Sequence, residues 1–241
     1  MSTIWIITKR ELKSFFDSLL AYFMIIAFLV FTGLFTWIIG RHIFMMREAS
    51  LQSFFAVAYW ALFIFIPALS MKLIAEERAS GTLELILSKP VSDFQLVTGK
   101  FLSVLLLVAL SLLLTLPYYI TVASIGPIDH GATITGYIGL ILMSAAYISI
   151  GVFASSITSN QIVAFLLALF IGIFFHLLFG ILARYFPGFI GNTLNYLSLS
   201  NHYESITRGV IDSKDLIYFL SLIFLGISGA VIVVSKRNLT N

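Results

Sequence analysis

Residues 75–90 read AEERASGTLELILSKP, and this short polar stretch separates two long apolar parts of the chain. The whole sequence is 60% hydrophobic and only 10% charged, whereas a soluble domain is about a quarter charged. Scarce charge collected between apolar runs is typical of a loop that joins two membrane-spanning helices. The stretch therefore indicates a polytopic membrane protein.

Six apolar runs approach or exceed the roughly 20 residues that a helix needs to cross a bilayer. They cover residues 19–40, 53–75, 100–125, 134–155, 161–183 and 215–235. The mean hydropathy of +1.05 agrees with this count. We predict an all-α fold with six transmembrane helices in a single transmembrane domain over residues 1–241.

The positive charges predict the orientation of the spans, because cytoplasmic loops carry an excess of Lys and Arg. With a cytoplasmic N-terminus, nine of the 14 basic residues fall inside and five, including Arg41 and Arg47, fall outside. The inner group includes Lys89 and Arg237. We therefore predict that both termini are cytoplasmic and that the chain lies in the inner membrane.

Residues 1–18 are predicted to form an amphipathic helix in the membrane interface. Trp5, Leu12, Phe16 and Leu19 share one helical face, and Lys9 and Lys13 lie on another. A polar tail without fixed structure is the alternative.

The sequence lacks the residues of several functional classes. It has no cysteine and no GxxxxGK[ST] motif, which argues against thiol chemistry and ATP binding by a P-loop. No carboxylate falls in the core of a span, which argues against proton-coupled carriers and intramembrane proteases. No basic cluster suits nucleic acid. We predict a protein that is not an enzyme, with no cofactor and no metal.

Two histidines are candidate functional residues. His176 lies inside the fifth span, where it can contact a substrate or metal, or make one interhelical hydrogen bond. His202 lies in SNHYES, and one histidine with one glutamate is too few ligands for a metal site. We interpret His202 as a local capping and packing residue.

Small residues indicate where spans approach each other closely. The pairs Gly151–Ser155 and Gly226–Ala230 have the small-xxx-small spacing that lets helix backbones pack tightly. Pro117 falls inside the third predicted span and predicts a kink there.

The opening stretch also contains local folding signals. Gly81 ends one segment, and Leu83, Ile86 and Leu87 then share one face of a short helix that ends before Pro90. Ser92 and Gln95 form a capping box, which predicts that the next helix begins near Asp93. Lys100 should then extend toward the membrane interface. The leucine face either docks into a protein partner or lies flat on lipid.

Residues 184–214 form the longest stretch between spans, and it is half apolar. Irregular backbone at membrane depth must be satisfied by protein or water. We therefore predict that the segment either dips into the outer leaflet or packs over the mouth of the bundle as short helices.

The stretch EERASGTLELILSKPVSDFQLVTGKFL resembles the cytoplasmic loop of ABC-2-type transporter permeases. The matching residues are Glu76, Glu77, Arg78, Gly81, Thr82, Leu83, Glu84, Ser88, Pro90, Gly99 and Lys100. Within that superfamily the chain is most similar to the permease subunit of the gliding-motility ABC transporter of Bacteroidetes and to related copper-processing permeases.

The resemblance implies two partners besides the lipid bilayer: a separate P-loop ATPase subunit and a second copy or related permease. It implies that the loop 76–99 carries a coupling helix and that residues 184–214 form a re-entrant outer gate. The expected coupling residues are Glu76, Glu77, Arg78, Gly81, Thr82, Leu83, Glu84, Ile86, Leu87 and Ser88. The expected gate residues are Tyr196, Ser200, Asn201, His202 and Glu204.

The leading prediction is a permease subunit that moves an unknown substrate while a separate subunit hydrolyses ATP. A membrane scaffold that anchors a surface machine without transport is an alternative, as is a copper-processing permease. A stand-alone membrane enzyme would need paired carboxylates or histidines inside the spans, which this sequence lacks.

Overall fold

The computed structural model describes residues 2–39, 49–87 and 90–236, without the side chains of Glu84 and Leu87. Ser88 from the predicted coupling set lies outside the described residues. So do four basic residues of the charge count: Arg41, Arg47, Lys89 and Arg237.

Regular structure within these residues is entirely helical. The helices are α1 Thr3–Asp17, α2 Leu20–Trp37, α3 Gln52–Ser70, α4 Ala75–Ala79, α5 Thr82–Leu87, α6 Asp93–Leu113, α7 Leu116–Ile125, α8 His130–Ile157, α9 Gln161–Ile173, α10 Phe179–Tyr185, α11 Gly188–Leu197, α12 Leu199–Thr207 and α13 Ser213–Lys236. A π-helical turn, Phe174–Leu178, joins α9 to α10.

The prediction of six spans is confirmed. Six helical segments of the described chain are long and apolar enough to cross a membrane: Leu20–Trp37, Gln52–Ala79, Asp93–Ile125, His130–Ile157, Gln161–Tyr185 and Ser213–Lys236. The third segment is divided into α6 and α7 by a break at Leu114 and Thr115, and Pro117 lies in the first turn of α7. Proline is tolerated there because its missing N–H would have no helical partner.

Helix α8 is the centre of the bundle, and α3, α6, α9 and α13 all pack against it. Small residues set these distances. A Cβ added at Gly226 of α13 would lie 2.5 Å from Ser149 Oγ, and one at Gly151 of α8 would meet the Oγ of Ser70. Two of the predicted small residues thus mark close helix contacts, because only the absence of a side chain permits these approaches.

Helix α1 packs against the first turns of α6 through Ile7 and Thr8. Thr8 Oγ1 donates to the carbonyl oxygen of Gly99 at 3.1 Å, and a Cβ at Gly99 would lie 2.7 Å from Ile7 Cγ2. The predicted N-terminal helix is present, and it is anchored to the bundle. The spacing of apolar residues along α1 could not predict this anchoring, because the surface on which α1 packs belongs to α6.

Candidate functional site

The predicted coupling stretch forms two short helices, α4 and α5, joined at Ser80 and Gly81. Gly81 has a φ of +70°, a left-handed conformation that glycine adopts at little cost. The predicted capping box also forms: Gln95 N donates to Ser92 Oγ and Ser92 N donates to Gln95 Oε1, both at 3.2 Å. The stretch is therefore an ordered helical element between α3 and α6.

One serine on the central helix holds the start of this element. Ser155 Oγ of α8 accepts hydrogen bonds from the backbone N–H groups of Ile74 and Ala75, both at 3.0 Å, and donates to the carbonyl of Met71 at 2.9 Å. These backbone groups lie at the break between α3 and α4, where the helical pattern leaves donors and acceptors without partners. A single buried hydroxyl thus joins α4 to the core of the bundle.

Four charged side chains at the same end form a cluster, which we call the charge cluster: Arg10, Glu11, Glu77 and Lys100. Lys100 Nζ lies 2.8 Å from Glu77 Oε1 and 3.3 Å from Glu11 Oε1. Arg10 contacts the same two carboxylates at 3.1 and 2.5 Å. The cluster therefore joins α1, α4 and α6, three helices that are far apart in sequence.

The position of Lys100 corrects the expectation that this side chain would extend to the interface. Lys100 is 0% exposed. Its side chain is covered by protein and its ammonium group lies beside the carboxylates of Glu11 and Glu77. Burial alone would raise the pKa of Glu11, but the positive charges of Lys100 and Arg10 outweigh it and lower that pKa. The carboxylate of Glu11 therefore stays charged inside the cluster.

The apolar face of α5 points into the bundle instead of outward. Leu83 is 2% exposed and belongs to the core, and Ile86 is partly buried against it. The outward surface is made by Glu76, Thr82 and Leu85 together with Ser80 and Gly81, and Leu85 is 68% exposed. Leu83 and Ile86 thus hold α5 in place, and a docking partner would meet the other face.

The remaining predicted coupling residues have mixed positions. Glu77 is in the charge cluster, and Arg78 is half-buried on α4. Glu84 and Leu87 belong to α5, but their side chains lie outside the described part.

The predicted outer segment folds as α11 and α12, and buried polar contacts fix it to the bundle. His202 of α12 places Nδ1 2.6 Å from Asp215 Oδ1 on α13, and its Nε2 lies 2.9 Å from the carbonyl of Tyr196. Since a carbonyl only accepts, Nε2 is the donor in its bond to Tyr196. The ring of Tyr218 stacks on His202 with centroids 4.0 Å apart.

The interpretation of His202 as a capping and packing residue fits its bond to the carbonyl of Tyr196 near the end of α11 and its stacking on Tyr218, and its contact with Asp215 adds a tie to another helix. Its main partner, Asp215, begins the last span and is 1% exposed. Sequence reasoning missed Asp215 because it reads as an ordinary acidic residue at a helix start. Tyr218, one turn later, donates to the carbonyl of Leu197 at 2.7 Å, a contact between helices that no local pattern predicts.

The other predicted gate residues do not converge on one point. Tyr196 and Glu204 are exposed, and Asn201 Nδ2 donates to the side chain and the carbonyl of Asn195. Ser200 instead faces the bundle, where it donates to the carbonyl of His176 and accepts from Tyr59 Oη at 2.6 Å.

His176 is the centre of an aromatic cluster that the sequence did not predict. It makes the expected interhelical hydrogen bond, with Tyr147 Oη at Nδ1. The rings of Tyr59 and Phe63 stack on its two faces at 4.1 and 4.3 Å. The carbonyl of His176 lies in the π-helical turn and accepts a hydrogen bond from Ser200, which links α12 to the fifth span.

Within residues 2–39, 49–87 and 90–236, no group of three or more His, Asp or Glu side chains is arranged to hold a metal ion.

A comparison with curated proteins finds no match. The family model for ABC-2 family transporter proteins matches residues 40–236, which include the coupling element, the outer helices and the last five spans. Six spans and a match over most of the chain lead to one conclusion: this chain belongs to the ABC-2 family of transporter proteins.

Proposed function

We propose that the chain is the permease subunit of an ABC-2-type transporter and that a separate P-loop ATPase docks on α4 and α5. The family match supports a membrane transport component. The ATPase partner and the coupling residues are parts of the proposal.

The anchoring of α4 and α5 is the observation that carries this proposal. Ser155 holds the start of α4, Lys100 binds Glu77 in its middle, and Leu83 packs the underside of α5 into the core. A surface fixed at three points to α6 and α8 moves with these spans. Force applied to the outward face would therefore reach the bundle instead of bending a loop.

We place this element, both termini and α1 on the cytoplasmic side of the inner membrane, and α11 and α12 on the opposite side. The excess of basic residues supports that orientation. We also propose that two permease chains pair, because a family member of six spans is expected to supply half of the path.

The absence of cysteine from the sequence gives a direct test of orientation. Thr82→Cys on α5 and Asn192→Cys on α11 are both exposed single-cysteine positions. We expect a membrane-impermeant maleimide to label Asn192→Cys on intact cells and Thr82→Cys only on inverted vesicles. The reverse pattern would rule out docking of a cytoplasmic ATPase on α5.

Leu85→Glu tests the docking surface itself. The chain is co-expressed with a P-loop ATPase encoded beside it, and co-purification and ATP hydrolysis are measured. Because burying a carboxylate against a partner surface costs far more than burying leucine, we expect at least about tenfold weaker association. Lys13→Glu, an exposed change on α1, is the control. Equal association of the Leu85→Glu variant would contradict docking through this face.

The finer assignment to gliding motility rests on the resemblance of the sequence, and it stays a prediction. The scaffold and copper-processing alternatives stay predictions for the same reason. ATP-dependent movement of a solute by the assembled complex would separate transport from scaffolding.

A further inference from the structure

A cleft of about 360 Å³ lies between α3 and α12, apart from the coupling element. Its walls are successive turns of two helices. Gln52, Ala56 and Trp60 line it from α3, and Ser200, Glu204 and Thr207 line it from α12. Its volume falls in the range of small-molecule sites, about 300–1,000 Å³.

The floor of the cleft is rigid and aromatic. It consists of Phe55, Tyr59 and Tyr203, each less than a tenth exposed. Tyr203 Oη donates to the carbonyl of Phe55 at 3.2 Å, and Tyr59 Oη bonds Ser200 Oγ at 2.6 Å. Because both bonds join α3 to α12, the cleft exists before any ligand arrives.

The charge of the cleft is negative and comes from one side chain. Glu204 is the only charged residue in its lining. Among the residues that the structure describes, no basic side chain forms an ion pair with it. A carboxylate opposite an aromatic wall attracts a cation, because the faces of indole and phenol rings also carry negative potential.

Trp60 supplies the aromatic ring of the cleft that a ligand can reach. It is 45% exposed, whereas Tyr59 is covered on both faces by His176 and Tyr203. The exposed stripe of α3 continues from Trp60 to Ile64, one turn farther along the span. A ligand with its charge between Trp60 and Glu204 could therefore lay an apolar tail along Ile64.

We propose that this cleft binds the head group of a cationic amphiphile, such as a quaternary ammonium compound, and that this class includes the transported substrate. The inference rests on the proposed transport function. Glu204 supplies the counter-charge, Trp60 supplies the cation–π contact, and the apolar stripe of α3 receives the tail.

The test uses the purified full chain in an uncharged maltoside detergent. The probe is a dansyl-labelled alkyl chain that ends in a trimethylammonium group. Its control is the same molecule ending in a tert-butyl group, which has the same shape without the charge. Binding is measured by fluorescence anisotropy. We expect the charged probe to bind at least about tenfold more tightly than the neutral one.

Variants locate the site. Glu204→Gln should weaken binding of the charged probe about tenfold and leave the neutral probe unchanged, while Glu204→Asp should keep most of the affinity. Trp60→Leu should weaken binding of the charged probe about threefold. Asp212→Asn is the matched control, because Asp212 is an exposed carboxylate between α12 and α13 that does not line the cleft. Thermal unfolding of each variant reports whether it is folded.

Equal binding of the two probes, or an unchanged affinity in Glu204→Gln, would overturn the proposal. The measurement needs no ATPase, so its failure would leave docking on α5 untouched. Conversely, failure of the Leu85→Glu experiment would not alter probe binding.

Discussion

The two ends of the bundle are held together by different physical means. At one end the charge cluster joins α1, α4 and α6 through ion pairs around the buried Lys100. At the other, stacked rings and hydroxyl bonds join α3, α12 and the fifth span around His176 and Ser200. Removing one partner of a buried ion pair leaves an uncompensated charge, whereas removing one of several neutral bonds does not.

This difference has a mechanical consequence. The charged end depends on a few strong contacts between elements distant in sequence, so it moves as a unit. The aromatic end distributes its contacts over many rings and hydrogen bonds, so the loss of any one contact there costs less.

Lys100→Glu should have the largest effect, because it places a third carboxylate beside Glu11 and Glu77 with Arg10 as the remaining cation of the cluster. We expect a loss of about 3–5 kcal/mol in the free energy of unfolding. Thermal unfolding in detergent measures it, with Lys13→Glu, the same charge change on an exposed residue, as the control. A loss no larger than that of the control would show that the cluster contributes little.

Gly99→Ala should have an intermediate effect at the same end. The added Cβ would lie 2.7 Å from Ile7 Cγ2 and 3.1 Å from the carbonyl oxygen of Ile4, so α1 must move away from α6. We expect a net loss of about 1–2 kcal/mol after the better helix propensity of alanine is counted.

Faster proteolysis within α1 is the second readout for Gly99→Ala. Ile7→Ala removes Cγ2, the nearest obstructing atom, so its own loss should be smaller in the Gly99→Ala background than in the unchanged chain. Losses that simply add would show that the close approach of α1 and α6 is not the cause.

Tyr59→Phe should have the smallest effect, and it tests the aromatic end. It removes the bond from Tyr59 Oη to Ser200 Oγ but leaves the stacked rings and the bond from Ser200 to the carbonyl of His176. We expect a loss of about 0.5–1.5 kcal/mol. The exposed Tyr185→Phe serves as the control. A loss as large as that of Lys100→Glu would remove the contrast between the two ends.

The chemistry of the aromatic end was largely hidden from sequence reasoning. Tyr59, Tyr147 and Tyr203 look like any aromatic residues of an apolar chain, and their significance comes from stacking and bonding across helices. His202 carried a visible signal, but its partner Asp215 is 13 residues away and begins another helix.

The sequence by itself determined the features that depend on neighbouring residues. Apolar run length set the six spans, Gly81 set the boundary between α4 and α5, and the Ser92–Gln95 capping box set the start of α6. Gly151 and Gly226 marked close helix contacts. Each of these follows from local backbone geometry or from a repeat along one helix.

Only the tertiary structure decided which face of each element is covered and which polar groups meet. Leu83 points inward because the core of the bundle lies beneath α5, and Lys100 is buried because Glu11 and Glu77 arrive from α1 and α4. Ser155 caps α4 from a helix about 80 positions away. Such contacts join distant parts of the chain, and no periodicity within one segment encodes them.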